Sequence, residues 1–88
     1  MDEHESDVLL CRAQYTVQKS EMTLCLYACR AGIAFEYALE LGQDAEHVRC
    51  EIGRDRTLAQ GLFCRILSAG VSICHFEDVI GDELFATM

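Results

Sequence analysis

Apolar residues recur along this chain at intervals of three and four, the spacing of an amphipathic α-helix. The longest such stretch covers residues 22–41, whose first eight residues are all apolar except Thr23. A helix that is apolar on almost every side is typical of a core or of a contact between subunits. Glu36 and Glu40, one helical turn apart, mark the side expected to face water, and Gly42 is well suited to end a helix. This stretch is therefore predicted to be the central helix.

A helix is also predicted ahead of this stretch. Val8, Cys11 and Tyr15 recur at helical spacing after an acidic start. The pattern weakens just before Ser20, a residue type that can begin a new helix. Residues 7–41 are therefore interpreted as one long helix or as two.

The second half of the chain predicts further helices. Asp44 can cap a helix that continues to about residue 69, either unbroken or interrupted at Gly53 and restarted by Thr57. Gly70 closes that region. The last helix is the clearest amphipathic one, and its apolar face consists of Ile73, Phe76, Ile80 and Leu84.

Together these patterns predict an all-α fold. We find no alternation long enough for a strand, no internal repeat and no low-complexity segment. Four helices joined by short turns are typical of an antiparallel helical bundle. The number of helices is five if the chain breaks at both uncertain positions and three if both regions are continuous. A chain of 88 residues suffices for one core. Residues 1–88 are therefore predicted to be a single domain, with an acidic N-terminal extension at residues 1–5.

The composition favours self-association. Hydrophobic residues make up 51% of the chain, a large share for so small a domain to bury. Part of this surplus is expected at an interface, so we predict a homodimer, with another protein as the alternative partner. The predicted interface residues are apolar or aromatic: Met22, Leu26, Tyr27, Phe35, Tyr37, Ile73, Phe76, Ile80 and Leu84.

The charge balance narrows the ligand classes. The chain has 15 acidic and 7 basic residues, a net charge of −8. This charge disfavours nucleic acid and anionic membranes, which bind basic surfaces. A helix-turn-helix around Gly70 is the DNA-binding alternative, but its second helix would direct Glu77, Asp78 and Asp82 at phosphate groups. Because the N-terminus is acidic and no apolar run is long enough to span a bilayer, we expect a cytoplasmic protein.

Six cysteines suggest a second alternative, a metal-binding or thiol redox protein. Cys25 and Cys29 would share one helical face, and His47 and Cys50 a face of the next helix. An antiparallel pair could then bring four zinc ligands together. The spacing is not that of a Cys-x-x-Cys zinc motif, however, and packing in a core explains the same cysteines more simply.

The basic residues concentrate around residues 49–56. Arg49, Arg54 and Arg56 are expected mainly to pair with nearby acidic side chains. Their other interpretation is a docking point for an acidic partner segment, or for the acidic last helix of a second copy.

No motif for catalysis is present. Cys74 and His75 would point about 100° apart on a helix, too far for a nucleophile and its base. There is no glycine-rich phosphate loop, and a bundle of this size has little room for a pocket. The sequence thus predicts a small cytoplasmic interaction or regulatory module that self-associates and has no catalytic activity and no cofactor.

Overall fold

The computed structural model describes residues 7–87, which form a β-sheet followed by two helices. The strands are β1 (Asp7–Val17), β2 (Ser20–Ala31), β3 (Ala34–Gln43) and β4 (Glu46–Gly53), and they form one antiparallel sheet in the order β1-β2-β3-β4. The helices are α1 (Arg56–Ala69) and α2 (Ile73–Thr87). The predicted all-α bundle is therefore wrong, because the fold is α+β. The acidic extension predicted at residues 1–5 lies outside the described residues.

The alternation of a strand is present in β2, but the residue types conceal it. Its buried residues alternate with partly buried ones, and the buried set is Met22, Leu24, Leu26 and Ala28. The intervening positions include Cys25, Tyr27 and Cys29, which also count as apolar. A period of two was therefore hidden inside a continuous apolar run, which periodicity alone does not assign to helix or strand.

The acidic pair in β3 misled the helix prediction in a second way. Glu36 and Glu40 are four residues apart, and that separation places two side chains on the same side of a helix and also on the same face of a strand. In the structure they lie on the outer face of the sheet, while Tyr37, Leu39 and Leu41 are buried on the inner face.

The three hairpin turns are tight, and the first has no glycine. Gln18 and Lys19 both have positive φ, 49° and 70°. Two positive φ angles match the right-handed twist of the flanking strands, although Asn and Gly are the usual residues there. Gly32 and Asp44 have positive φ in the second and third turns. Gly42, predicted to end a helix, lies instead within β3.

The two C-terminal helices confirm their sequence signals more closely. The Asp55 side chain caps α1 by accepting a hydrogen bond from the Leu58 amide at 3.1 Å, so this helix begins at Arg56 and the predicted start at Thr57 is wrong. Gly70 ends α1 in the left-handed conformation, as predicted. Helix α2 begins at Ile73. The helix predicted from Asp44 is wrong, since residues 46–53 form β4.

The core lies between the helices and the inner face of the sheet. Helix α1 packs on β2 and β3, and α2 packs on β3 and β4. The largest fully buried side chains are Phe76, Met22, Leu24, Leu26, Leu39, Leu41 and Ile66. The edge strand β1 is tied to the helices by the Tyr15 hydroxyl, which donates to the Val71 carbonyl at 2.6 Å. Within the described residues, no helix is long and apolar enough to cross a bilayer.

Candidate functional site

A small apolar cavity lies on the inner face of the sheet, beside the first residue of α1. Val8, Ala28 and Tyr37 lie side by side there on three adjacent strands, because Val8 pairs with Ala28 and Ala28 pairs with Tyr37. Ala28 and Tyr37 are buried, whereas Val8 on the edge strand is 50% exposed. The cavity has a volume of about 150 Å³, and Leu10, Phe35 and Arg56 complete its lining.

Leu10 reaches the cavity through an irregularity in β1. Leu9 is paired with Tyr27 and Cys11 with Leu26, which are consecutive residues in β2, so Leu10 is an extra residue without a partner. Such a β-bulge bends the strand and redirects a side chain. The bulge therefore adds a second apolar side chain of the edge strand to the cavity lining.

Exposed apolar side chains lie at the same end of the sheet as this cavity. Ile33, in the turn between β2 and β3, is fully exposed, and Phe35 is 46% exposed. We refer to Val8, Leu10, Ile33 and Phe35 as the apolar end of the sheet. Single exposed apolar residues are common, but a group of them marks a surface that another molecule can cover.

The edge of β1 borders the same surface. Among the described residues β1 pairs only with β2, so one side of an 11-residue strand has unpaired N–H and C=O groups. Edge strands are commonly protected by charged side chains or proline. The eight residues of β4 include Glu46, Arg49 and Glu51, whereas β1 has only Asp7 and Arg12 over its greater length. The β1 edge is therefore the less protected of the two.

The charged groups next to the apolar end are mostly engaged. Glu36 lies 3.9 Å from Arg54. Asp55 caps α1, and Asp7 is 3.4 Å from Arg49. Arg56 lines the cavity and has no hydrogen bond or ion pair within the described residues. A cation thus lies beside an apolar cavity, and no acidic side chain among residues 7–87 pairs with it.

Arg49 organises the outer face of the sheet. Its guanidinium lies 5.4 Å from the centre of the Tyr27 ring, donates to the Cys29 sulfur at 2.9 Å and approaches Asp7. Asp7 belongs to β1 and Arg49 to β4, so this one side chain links the two edge strands. It also pairs with the first residue of β1, which directly precedes Val8 of the apolar end.

The surroundings of the Cys29 thiol are those of a structural cysteine and not of a reactive one. Burial, followed by its hydrogen bond with Asp7, raises the pKa of Cys29 from 9.0 to about 11, although the Arg49 charge lowers it. Burial also raises the pKa of Cys50, where Glu77 and Glu51 add to the effect. Both thiols are therefore protonated at neutral pH, and a protonated thiol is a poor nucleophile.

The four predicted metal ligands do not form one cluster. Cys25, Cys29 and His47 lie on the outer face of the sheet, whereas Cys50 lies on the inner face. His47 is paired with Gly42, whose absent side chain leaves room for the imidazole. In the described part of the chain, no three His, Cys, Asp or Glu side chains are grouped to hold a metal ion. All six cysteines are free thiols.

Most of the predicted interface residues lie in or against the core. The buried ones are Met22, Leu26, Tyr37, Phe76 and Ile80. Ile73 and Leu84 are partly buried and pack against that core. Tyr27 lies on the outer face under Arg49, and Phe35 belongs to the apolar end. The apolar face of α2 therefore packs on the sheet, so a groove-binding contact through that face would require α2 to leave it.

Sequence reasoning missed Val8, Leu10 and Ile33 as surface residues. In the predicted helix, Val8 belonged to a buried apolar stripe. The exposed sheet edge that Val8 borders can be recognised only after residues 7–17 are assigned to a strand. The Gly32–Ile33 turn was the available signal, because a glycine followed by one apolar residue interrupts the run between β2 and β3.

No family model, curated protein or solved structure matches this chain.

Proposed function

We propose that this chain is a small, non-catalytic protein-interaction module that binds an extended polypeptide segment as an additional strand beside β1. The observation that supports this most is that the free edge and the cavity share Val8 and Leu10. In strand addition, main-chain hydrogen bonds to an open edge provide affinity, and pockets for alternate side chains provide specificity. The apolar end offers both features at one place.

The size of the cavity favours a side chain over a small molecule. Pockets for drug-sized ligands are typically about 300–1,000 Å³. The volume of about 150 Å³ is smaller than that and suits one apolar side chain. An anchor residue from the added strand can reach across the half-exposed Val8 to contact Phe35 and Leu10.

The expected affinity is modest. About five main-chain hydrogen bonds, at roughly 0.5–1.5 kcal/mol each, and one anchor, at roughly 1.5–3 kcal/mol, give about 4–10 kcal/mol before the cost of association. That cost is at least about 4 kcal/mol. The dissociation constant is then expected at tens of micromolar or above, so the binding assay must work at high protein concentration.

NMR titration meets this requirement. The probe is a terminally blocked peptide of alternating threonine and valine with one central phenylalanine, added to the 15N-labelled chain. We expect shifts in β1 and around the cavity, and protection of β1 amides from exchange. Val8→Lys should weaken binding about tenfold, since it places a charge at the cavity. Thr16→Lys is the matched control because Thr16 is an exposed residue near the far end of the same strand. Equal weakening by both variants, or shifts spread over both faces, would contradict strand addition at the apolar end.

A second copy of the chain is the other candidate occupant. Two β1 strands can pair antiparallel about a two-fold axis, which makes the same surface complementary to itself. The exposed Ile33 and the cavity lie at one end of the sheet, so each copy would present both a projecting side chain and a cavity. Light scattering over a range of concentrations should then show a dimer that Val8→Lys dissociates and Thr16→Lys does not.

A reducing compartment such as the cytoplasm fits this proposal. The six free thiols include the exposed Cys64 and Cys74, and such thiols persist where glutathione and thioredoxin keep them reduced.

A further inference from the structure

We infer that the segment bound beside β1 is acidic, with a carboxylate two residues from its apolar anchor residue and therefore on the same face of the added strand, and that Arg56 selects it. This inference rests on the proposed strand addition and adds the chemical class of the partner. The central observation is that Arg56 is part of the lining of an otherwise apolar cavity. A guanidinium at such a position donates to a carboxylate through two parallel hydrogen bonds.

The residues from 7 to 87 do not supply that carboxylate. The three acidic residues adjacent in sequence to the lining residues are Asp7, Glu36 and Asp55, and each has another contact. Asp7 pairs with Arg49, Glu36 with Arg54, and Asp55 with the amide that it caps. Arg56 therefore keeps its charge available for a ligand that enters the cavity.

The charge of the whole chain acts in the opposite direction, but over a longer distance. A net charge of −8 repels an acidic segment. At physiological salt the screening length is about 8 Å, so distant acidic side chains are largely screened at the cavity. The ion pair with Arg56 forms at hydrogen-bonding distance and is screened much less. The local attraction is therefore expected to exceed the repulsion by the whole chain.

A second copy fits this charge pattern less well. The acidic residue that its β1 strand would bring to the contact is Asp7, which Arg49 already holds on the outer face. A second copy would also place another charge of −8 beside the first. A different chain, with an apolar residue two positions from a glutamate or aspartate, is therefore the favoured occupant.

The test compares three probe peptides on the full chain by NMR titration. Each is the blocked threonine–valine peptide with a central phenylalanine, and the residue two positions from the phenylalanine, on the same face of the strand, is Glu, Gln or Lys. We expect the Glu peptide to bind about fivefold more tightly than the Gln peptide, as for an exposed ion pair, and the Lys peptide to bind most weakly. Added salt should weaken binding of the Glu peptide and leave the Gln peptide nearly unchanged.

Variants then assign the preference to one side chain. Arg56→Gln should remove the difference between the Glu and Gln peptides while the Gln peptide still binds, and Arg56→Glu should reverse the order. Arg12→Gln is the matched control, because it makes the same change in net charge on the outer face of β1. Retention of the Glu preference in Arg56→Gln, or its equal loss in Arg12→Gln, would refute a role for Arg56.

The two proposals fail in different ways. If all three peptides bind equally and Val8→Lys weakens them, strand addition stands and the acidic segment is overturned. If the Lys peptide binds best and added salt weakens it, the charge of the whole chain controls binding and the inference is overturned. If no peptide binds and light scattering shows a dimer that Val8→Lys dissociates, the occupant is a second copy. If no peptide binds and the chain stays monomeric, both proposals are overturned.

Discussion

Truncation of Phe76 to alanine tests whether α2 provides the core or an interface. Phe76 is 0% exposed and is the largest fully buried side chain in the described residues. Removing a buried phenylalanine destabilises a protein by about 3–5 kcal/mol, because the transfer free energy of the ring is lost and a cavity remains. At roughly 0.05–0.15 kcal/mol per residue, this chain should have an unfolding free energy of about 4–13 kcal/mol. The variant is therefore expected to lose a large share of its stability.

Phe85→Ala is the matched control, since it makes the same chemical change in the same helix at a side chain that is 78% exposed. Its effect should stay within about 0.5 kcal/mol. Urea unfolding followed by circular dichroism measures both variants, with light scattering to record their oligomeric state. If Phe76→Ala unfolded at the same urea concentration as the parent and differed only in association, the apolar face of α2 would be an interface. The packing of α2 on the sheet would then be refuted.

Three further changes test other contacts. Tyr15→Phe removes the hydrogen bond to the Val71 carbonyl and should lower the unfolding free energy by about 0.5–1.5 kcal/mol in urea; an unchanged midpoint would mean that β1 does not depend on this link. The pKa of Cys29 is raised from 9.0 to about 11 in the folded chain, so the unfolded chain loses this proton first as the pH rises. The unfolding free energy should therefore fall between these two pH values, and it should fall less in Cys29→Ser. Equal slopes of unfolding free energy against pH in the two proteins would count against a buried thiol. Gly42→Ala brings a methyl group to 2.8 Å from His47 Nδ1, but this imidazole is the end of an exposed side chain that can rotate away, so the unfolding free energy should fall by less than about 1 kcal/mol; a loss of about 3 kcal/mol would mean that the imidazole cannot move.

The end of α1 and the buried face of α2 could be predicted from local signals. Gly70 ends α1, and the spacing of Ile73, Phe76 and Ile80 matches the buried face of α2. Both signals act within a few residues, because a helix makes its hydrogen bonds between residues four apart. Their outcome therefore depends little on the remainder of the chain.

The sheet could not be predicted in the same way. The separation of Glu36 and Glu40 fits a helix and a strand equally, and Cys25 and Tyr27 on the outer face made β2 look uniformly apolar. The Gln18–Lys19 turn has positive φ angles without the glycine or asparagine that usually signals a hairpin. Each local preference was ambiguous, and pairing between strands resolved it.

The candidate site depends on that pairing. Phe35 was selected from its aromatic side chain alone, whereas Val8, Leu10 and Arg56 come together only because β1 pairs with β2 and α1 begins beside the sheet. A free edge has no counterpart in the linear pattern. It follows from the order of the strands, which places β1 on the outside.

By itself, the sequence determined the two C-terminal helices, the acidic net charge and the abundance of apolar residues. Only the tertiary structure decided that residues 7–53 form strands, that Phe76 and Ile80 belong to the core, and that the exposed apolar surface lies at one end of β1. The physical reason is the range of the interactions. Helix hydrogen bonds are local, while a sheet forms its hydrogen bonds between segments, and those contacts determine which apolar side chains become buried and which remain exposed.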